Sequence, residues 1–143
     1  MSEYLITGPI GSDLIAAAIS GAGNSKKSGG HSVFIGQVRD DEIGGKRVAA
    51  IEYSAYEPLV KFEAEKIRDE ILAEYSDVIS AVIKHSTGVV KAGEISLFVI
   101  VSAGHRRQAI EACREILERI KLRLPVWKKE IFEDDTHRWT ENG

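Results

Sequence analysis

Cysteine is nearly absent from this chain. Cys113 stands alone among 143 residues, so no internal disulfide can form and no Cys-x-x-Cys pair exists for redox chemistry or zinc. It falls on an apolar helical stripe, which predicts a buried thiol and a reducing, cytoplasmic setting. Four histidines without His-x-x-x-His spacing argue against a metal site. No apolar run approaches the ~18 to 20 residues that a membrane-spanning helix needs. The start, Met1-Ser2-Glu3-Tyr4, has neither the basic region nor the apolar core of a secretory signal. An excess of one charge is missing too. Nineteen Lys and Arg against 22 Asp and Glu give a net charge of −3, which argues against sequence-independent nucleic-acid binding. With two Trp, four Tyr and four Phe, an RNA-binding sheet face of stacked aromatics is also a poor fit. The remaining composition, 43% apolar and 29% charged, is ordinary for a globular protein, and the length suits one domain over residues 1–143.

Apolar periodicity orders the chain as α+β. A short strand near residues 4–7 precedes a helix near 12–20, capped by Ser12 and ended by Gly21. Residues 21–30 form a loop whose glycines and lysines lack the spacing of a phosphate-binding P-loop. Strands follow at 31–38 and 47–53, with a polar turn around 41–45 suited to joining them as a hairpin. From 57 to 75, Val60, Ala64, Ile67, Ile71 and Tyr75 make one apolar helical stripe. Two more strands, 78–84 and 94–101, are connected through Thr87-Gly88 and Ala92-Gly93. The last helix, 106–123, sets Ala109, Ile110, Cys113, Ile116, Leu117, Ile120 and Leu124 on a stripe that faces a core. Helices alternating with hairpin-linked strands predict a largely antiparallel sheet.

The end of that helix reads as a site. Lys121 sits at the margin of the apolar stripe, and Pro125 biases Leu124 away from helical dihedrals, so the helix stops there. In the strand 126–132, a period of two puts Val126, Lys128, Glu130 and Phe132 on one face and Trp127, Lys129 and Ile131 on the other. Lys121 and Lys128 therefore converge across a tight corner while Lys129 points away. A second cationic corner lies upstream, where Ser102-Ala103-Gly104 leads into His105-Arg106-Arg107 at the helix N-terminus. His105 is open to three readings: a cap, a packed residue or an anion contact. Arg39 closes an apolar strand before Asp40 and Asp41, either as a locally paired strand end or as a guanidinium fork for phosphate. From Gly104 to Trp139, nine Lys or Arg stand against seven Asp or Glu, an excess suited to a small anion rather than a polyanion.

These segments keep a recognisable order. Phe34-Ile35-Gly36-Gln37-Val38-Arg39-Asp40 is followed by Ile51-Glu52-Tyr53-Ser54-Ala55-Tyr56, Gly88 with Gly93-Glu94, and His105-Arg106. Lys121 with Pro125-Val126-Trp127-Lys128-Lys129-Glu130 completes the series. Over about residues 30–139 the chain resembles the large, catalytic subunit of molybdopterin synthase. The resemblance implies an α/β hammerhead-like fold with an additional small antiparallel sheet subdomain. It also implies sulfur transfer to cyclic pyranopterin monophosphate, forming the dithiolene of molybdopterin. Lys121 and Lys128 would then be catalytic, with Arg39, His105, Arg106, Phe34 and Arg138 around the substrate, and with no metal or cofactor. The implied partner is a small ubiquitin-like sulfur-carrier subunit whose C-terminal Gly-Gly thiocarboxylate enters the pocket, and the implied assembly is a homodimer within a heterotetramer. A non-catalytic scaffold that binds the carrier is the competing reading, which loss of either lysine would have favoured. One departure is Ser86, which stands where many relatives carry an arginine.

Overall fold

The computed structural model describes residues 3–140. The chain runs β1 (Leu5–Thr7), α1 (Ser12–Ala22), β2 (Gly30–Gln37), β3 (Glu42–Ile43), β4 (Lys46–Ala55) and α2 (Glu57–Glu74). It continues β5 (Val78–Lys91), β6 (Ile95–Ala103), α3 (Arg106–Arg123), β7 (Val126–Phe132) and β8 (His137–Thr140). The sheet order is β2-β6-β5-β4-β7-β8, with β3 on β4 and β1 beside β5. The β1–β5 pair is parallel and the other described pairs are antiparallel.

Strand β6 sets the layering. It is nearly all apolar, as a strand covered on both faces must be. Alternation sends Val99, Val101 and Ala103 into the main core, with Val60, Ala64, Ile67 and Ile71 of α2 and Ala109, Cys113, Ile116 and Ile120 of α3. Phe98 and Ile100 join a smaller cluster with Ile10 and with Ile15 of α1. The helices α2 and α3 are also tied by ion pairs. Arg119 reaches Glu74 at 2.7 Å and both Glu70 and Glu115 at 3.0 Å, while Arg123 reaches Glu70 at 2.7 Å and Glu63 at 3.2 Å. These contacts pin the last turns of α3, where Lys121 lies.

Strand β5 joins the two parts of the sheet. Its first half pairs with β6, and Gly88 to Lys91 pair with Tyr53 to Ala50 of β4. Gly88 has φ +78° at that change of partner, a dihedral that side chains disfavour. The helix-covered sheet thus leads into the smaller β4-β7-β8 sheet, the mixed architecture expected from the sequence.

Local expectations change where tertiary pairing overrides them. Strands β2 and β4 do not pair: β2 pairs with β6, and the Gly44-Gly45 turn closes the short β3–β4 hairpin. Strand β5 runs unbroken to Lys91, because Gly88 redirects it without ending it. Helix α1 has Gly11 as its cap residue, so Ser12 is helical and caps nothing, and the helix passes through Gly21 to Ala22. Ile110 is 58% exposed, and Ala112 takes the core position. Strand β8 has no apolar alternation to betray it; pairing with β7 forms it. Among the described residues, no helix is long and apolar enough to cross a membrane.

Candidate active site

The corner after α3 forms as Pro125 dictates. Leu124 is extended at φ −71°, ψ 122°, and β7 starts two residues later. Pairing along β4 sets Lys128 opposite Tyr53 and Trp127 opposite Ser54. Val126 and Phe132 are buried on the face that also carries Lys128 and Glu130. Lys121 and Lys128 then line a cavity of about 360 Å³ with Phe34, His85, Leu97 and Leu117. A second cavity of about 240 Å³ shares His85, Leu97 and Lys128 with it and adds Arg39, Tyr53 and Glu130. The two make one cleft, with Lys128 and His85 where its halves meet.

Burial pushes the Lys128 ammonium below the ordinary lysine value; Lys121 and Arg39 push the same way, and Glu130 opposes them. Glu130 is itself held by Arg138 at 2.7 Å, and Arg39 pairs with Asp41 at 3.2 Å. Lys129 is on the other strand face, 2.9 Å from Glu52 and 5.5 Å above the Trp139 ring. Unbranched cations beside an apolar wall of Phe34, Leu97 and Leu117 suit a small anion attached to a ring or an extended chain.

Below the lysines lies His85, 5% exposed, with Nδ1 2.8 Å from the Ser86 carbonyl oxygen. Tyr53 meets its ring edge-on at 5.1 Å and donates its hydroxyl to Ser96 Oγ at 3.0 Å. Burial pushes the imidazole below its ordinary value of 6.5, Lys128 adds to this, and the bond to Ser86 opposes it. At neutral pH the ring is uncharged. Ser86 is fully buried and donates its hydroxyl to the Gly8 carbonyl oxygen at 2.7 Å, tying β1 to β5.

Of the residues expected at the site, Lys121, Lys128, Phe34 and Arg39 converge. Arg138 stands one contact away, against Glu130. His105 and Arg106 do not join them within one chain, because they open α3 at the opposite end, about 22 Å along its axis from Lys121. The His105 side chain is 87% exposed, and its amide and Nδ1 both contact Asp77 Oδ2, at 2.7 and 3.1 Å. His85 and Tyr53 were not among the expected site residues. Ending the strand at residue 84 left His85 in a supposed turn, although a histidine continuing an apolar alternation signals a buried imidazole. A wider depression of about 500 Å³ on α2 is lined by Glu65, Asp69 and Glu70 with Lys66, and repels anions. Among the described residues, no group of three or more His, Cys, Asp or Glu is arranged to hold a metal ion.

Fold and cleft together define an α+β protein that presents cations to a small anionic group beside an apolar wall. Known proteins narrow this class. Residues 7–123 match the MoaE protein family. Over 118 residues the chain is 40% identical to the molybdopterin synthase catalytic subunit of Pyrococcus abyssi, covering 82% of this chain and 78% of that one. It spans 31% and 32% of the length of the same-named subunits of Drosophila willistoni and Drosophila grimshawi. The crystal structure of molybdopterin synthase from Staphylococcus aureus superposes with a TM-score of 0.84 at 29% identity, covering 98% of each chain. A complex of subunits 1 and 2 of molybdopterin-converting factor from Helicobacter pylori shares the fold, with a TM-score of 0.81 at 23% identity over 96% of this chain and 88% of that one. The chain belongs to the MoaE family of molybdopterin synthase catalytic subunits, enzymes of molybdenum cofactor biosynthesis.

Proposed function

We propose that the cleft transfers sulfur from the C-terminal thiocarboxylate of a small carrier subunit to cyclic pyranopterin monophosphate, making the dithiolene of molybdopterin. The observation that carries this reading is Lys128, a half-buried ammonium with a lowered pKa, beside Lys121 at the apolar wall. Thiocarboxylate and phosphate are both anions, and the two lysines with Arg39 offset their charges. The sulfur has to come from outside: Cys113, on the core face of α3, is 4% exposed, and burial pushes its thiol up. A Gly-Gly tail suits the cleft, since it brings no side chains. In each transfer a C–S bond forms on the precursor as a C–O bond breaks, and the departing oxygen takes up a proton. An ammonium with a lowered pKa yields that proton more readily. Water then cleaves the acyl–sulfur bond and releases the carrier as a carboxylate.

A homodimer reconciles this reading with the distant His105-Arg106 corner. Strand β2 is at the sheet edge, with Val33, Phe34 and Ile35 exposed. Its Gly30 end packs on Arg106 and its Gln37 end reaches the cleft. Antiparallel pairing of two β2 edges across a two-fold axis exchanges those ends. Each cleft then receives His105 and Arg106 from the second copy, because a strand of this length spans about 25 Å, close to the length of α3. The test is to mix the protein with the cyclic precursor and either thiocarboxylated or plain carboxylate carrier. Dithiolene product is expected with the thiocarboxylate alone; carrier binding without product would favour a scaffold.

A further inference from the structure

Most polar groups around the cleft either offer only hydrogens or are already engaged. Lys121, Lys128 and Arg39 can only donate. Glu130 is held by Arg138, Asp41 by Arg39, and Ser96 Oγ receives the Tyr53 hydroxyl. Gln37 and Glu118 are exposed at the rim. His85 is different. The Ser86 carbonyl oxygen beside Nδ1 can only accept, so Nδ1 carries the ring hydrogen and Nε2 keeps its lone pair. Nε2 has no hydrogen-bond partner among the described residues, although the ring is 5% exposed and lines both halves of the cleft. The edge-on Tyr53 ring, at an interplanar angle of 81°, restrains the imidazole from turning. Such an acceptor opens onto the cleft, where a ligand or a water can donate to it.

We propose that His85 Nε2 is a substrate-contacting acceptor, taking an N–H or O–H hydrogen from a ligand whose anionic group the neighbouring cations hold. The ligand class is a phosphorylated heterocycle that carries a ring N–H, amino or hydroxyl group. The inference rests on the sulfur-transfer reading and deepens it: the lysines hold charge, and His85 recognises the uncharged donor edge of the ring system. The titratable and charged groups around the imidazole are Tyr53 of β4, Lys128 and Glu130 of β7, Lys121 and Glu118 of α3, and Arg39 and Asp41 beyond β2. Strands β1 and β6 set Leu5 and Leu97 opposite His85, and neither titrates. Protonation would turn the lone pair into a donor and add a positive charge to this group, so acid should weaken the contact.

Two substitutions separate the acceptor from the structural role. His85→Asn keeps a side-chain N–H within reach of the Ser86 carbonyl and deletes the outer acceptor. His85→Gln extends an amide oxygen toward the Nε2 position and cannot titrate. In the intact synthase with cyclic pyranopterin monophosphate and thiocarboxylated carrier, His85→Asn should raise KM about tenfold with little change in kcat, and His85→Gln should recover most of that loss. As pH falls through the imidazole's value, which burial holds below 6.5, wild-type KM should rise relative to His85→Gln. Nitrogen NMR of the wild-type ring should show a neutral Nδ1–H tautomer at neutral pH. An Nε2–H tautomer, equal KM values in all three proteins, or a wild-type KM that falls in acid relative to His85→Gln would overturn the proposal. If the wild type itself makes no dithiolene, the sulfur-transfer reading fails, and the tautomer still decides whether Nε2 is an open acceptor.

Discussion

Replacing Lys128 by Met should make the protein more stable and less active at once. Methionine keeps an unbranched stem in a half-buried position and removes an ammonium that burial, Lys121 and Arg39 all disfavour. Relief of such a site commonly contributes about 0.5 to 1 kcal/mol, or roughly 2 to 3 °C in Tm for a chain of this size. Because the folded pKa of Lys128 lies below its ordinary value of 10.5, the destabilisation is full below the folded pKa. It fades as pH rises through that value and is absent above about pH 10.5. Activity should move the other way. Loss of one charge-assisted hydrogen bond to an anion costs about 1.5 to 3 kcal/mol, a fall of about 10- to 150-fold in kcat/KM. Lys129→Met is the matched control: it removes an outward pair with Glu52, so activity should hold and Tm should change little. Calorimetry across pH and steady-state assays read both effects. A Lys128→Met protein that lost stability together with activity would identify Lys128 as structural and refute the reasoning.

Arg119→Ala, which frees Glu74 and Glu115 and leaves Glu70 to Arg123 alone, should lower Tm at neutral pH by about 2 to 5 °C. Hydrogen bonds from Arg123 to Glu70 and from Arg119 to Glu74 hold both carboxyls below their ordinary 4.5. Their stabilisation is therefore present above about pH 4.5 and lost as pH falls through the lowered values, so the Tm difference should close in acid. Gly104→Ala would place a Cβ 2.5 Å from Asp77 Oδ1, displacing the carboxylate that receives the His105 amide, at a cost of about 1 to 2 kcal/mol in urea unfolding. Gly21→Ala, in open space within α1, should instead stabilise by about 0.5 to 1 kcal/mol. If the cleft draws His105 from a second copy, mixing inactive His105→Ala and Lys121→Ala proteins under subunit exchange should restore roughly a quarter of the sites. Ile35→Lys on the β2 edge should yield monomers by light scattering and abolish that rescue.

The helices were legible because their periodicity is local. Val60, Ala64, Ile67 and Ile71 are all fully buried, and α3 spans the expected residues 106–123. The Lys121–Lys128 corner followed from one proline and a period of two. Strand pairing was less accessible: the turn before Lys46 suggested joining β2 to β4, but β2 adds to β6, a contact made by residues distant in the chain. Gly88 looked like a strand end because its dihedral requirement is visible in sequence while the strand's change of partner is not. That error also hid His85. The resemblance put His105 and Arg106 around the same substrate as Lys121, and within one chain α3 holds them at its opposite end.

Lys121→Ala tests the central claim most directly, in a single-turnover reaction of the purified variant with thiocarboxylated carrier and cyclic pyranopterin monophosphate. Circular dichroism and carrier affinity are measured on the same sample. The substitution leaves the buried stripe of α3 intact and alanine is a good helix former. Fold and carrier binding should therefore match wild type while dithiolene formation nearly vanishes. Wild-type dithiolene formation by folded, carrier-binding Lys121→Ala would contradict the assignment of this cleft as the place where sulfur is transferred.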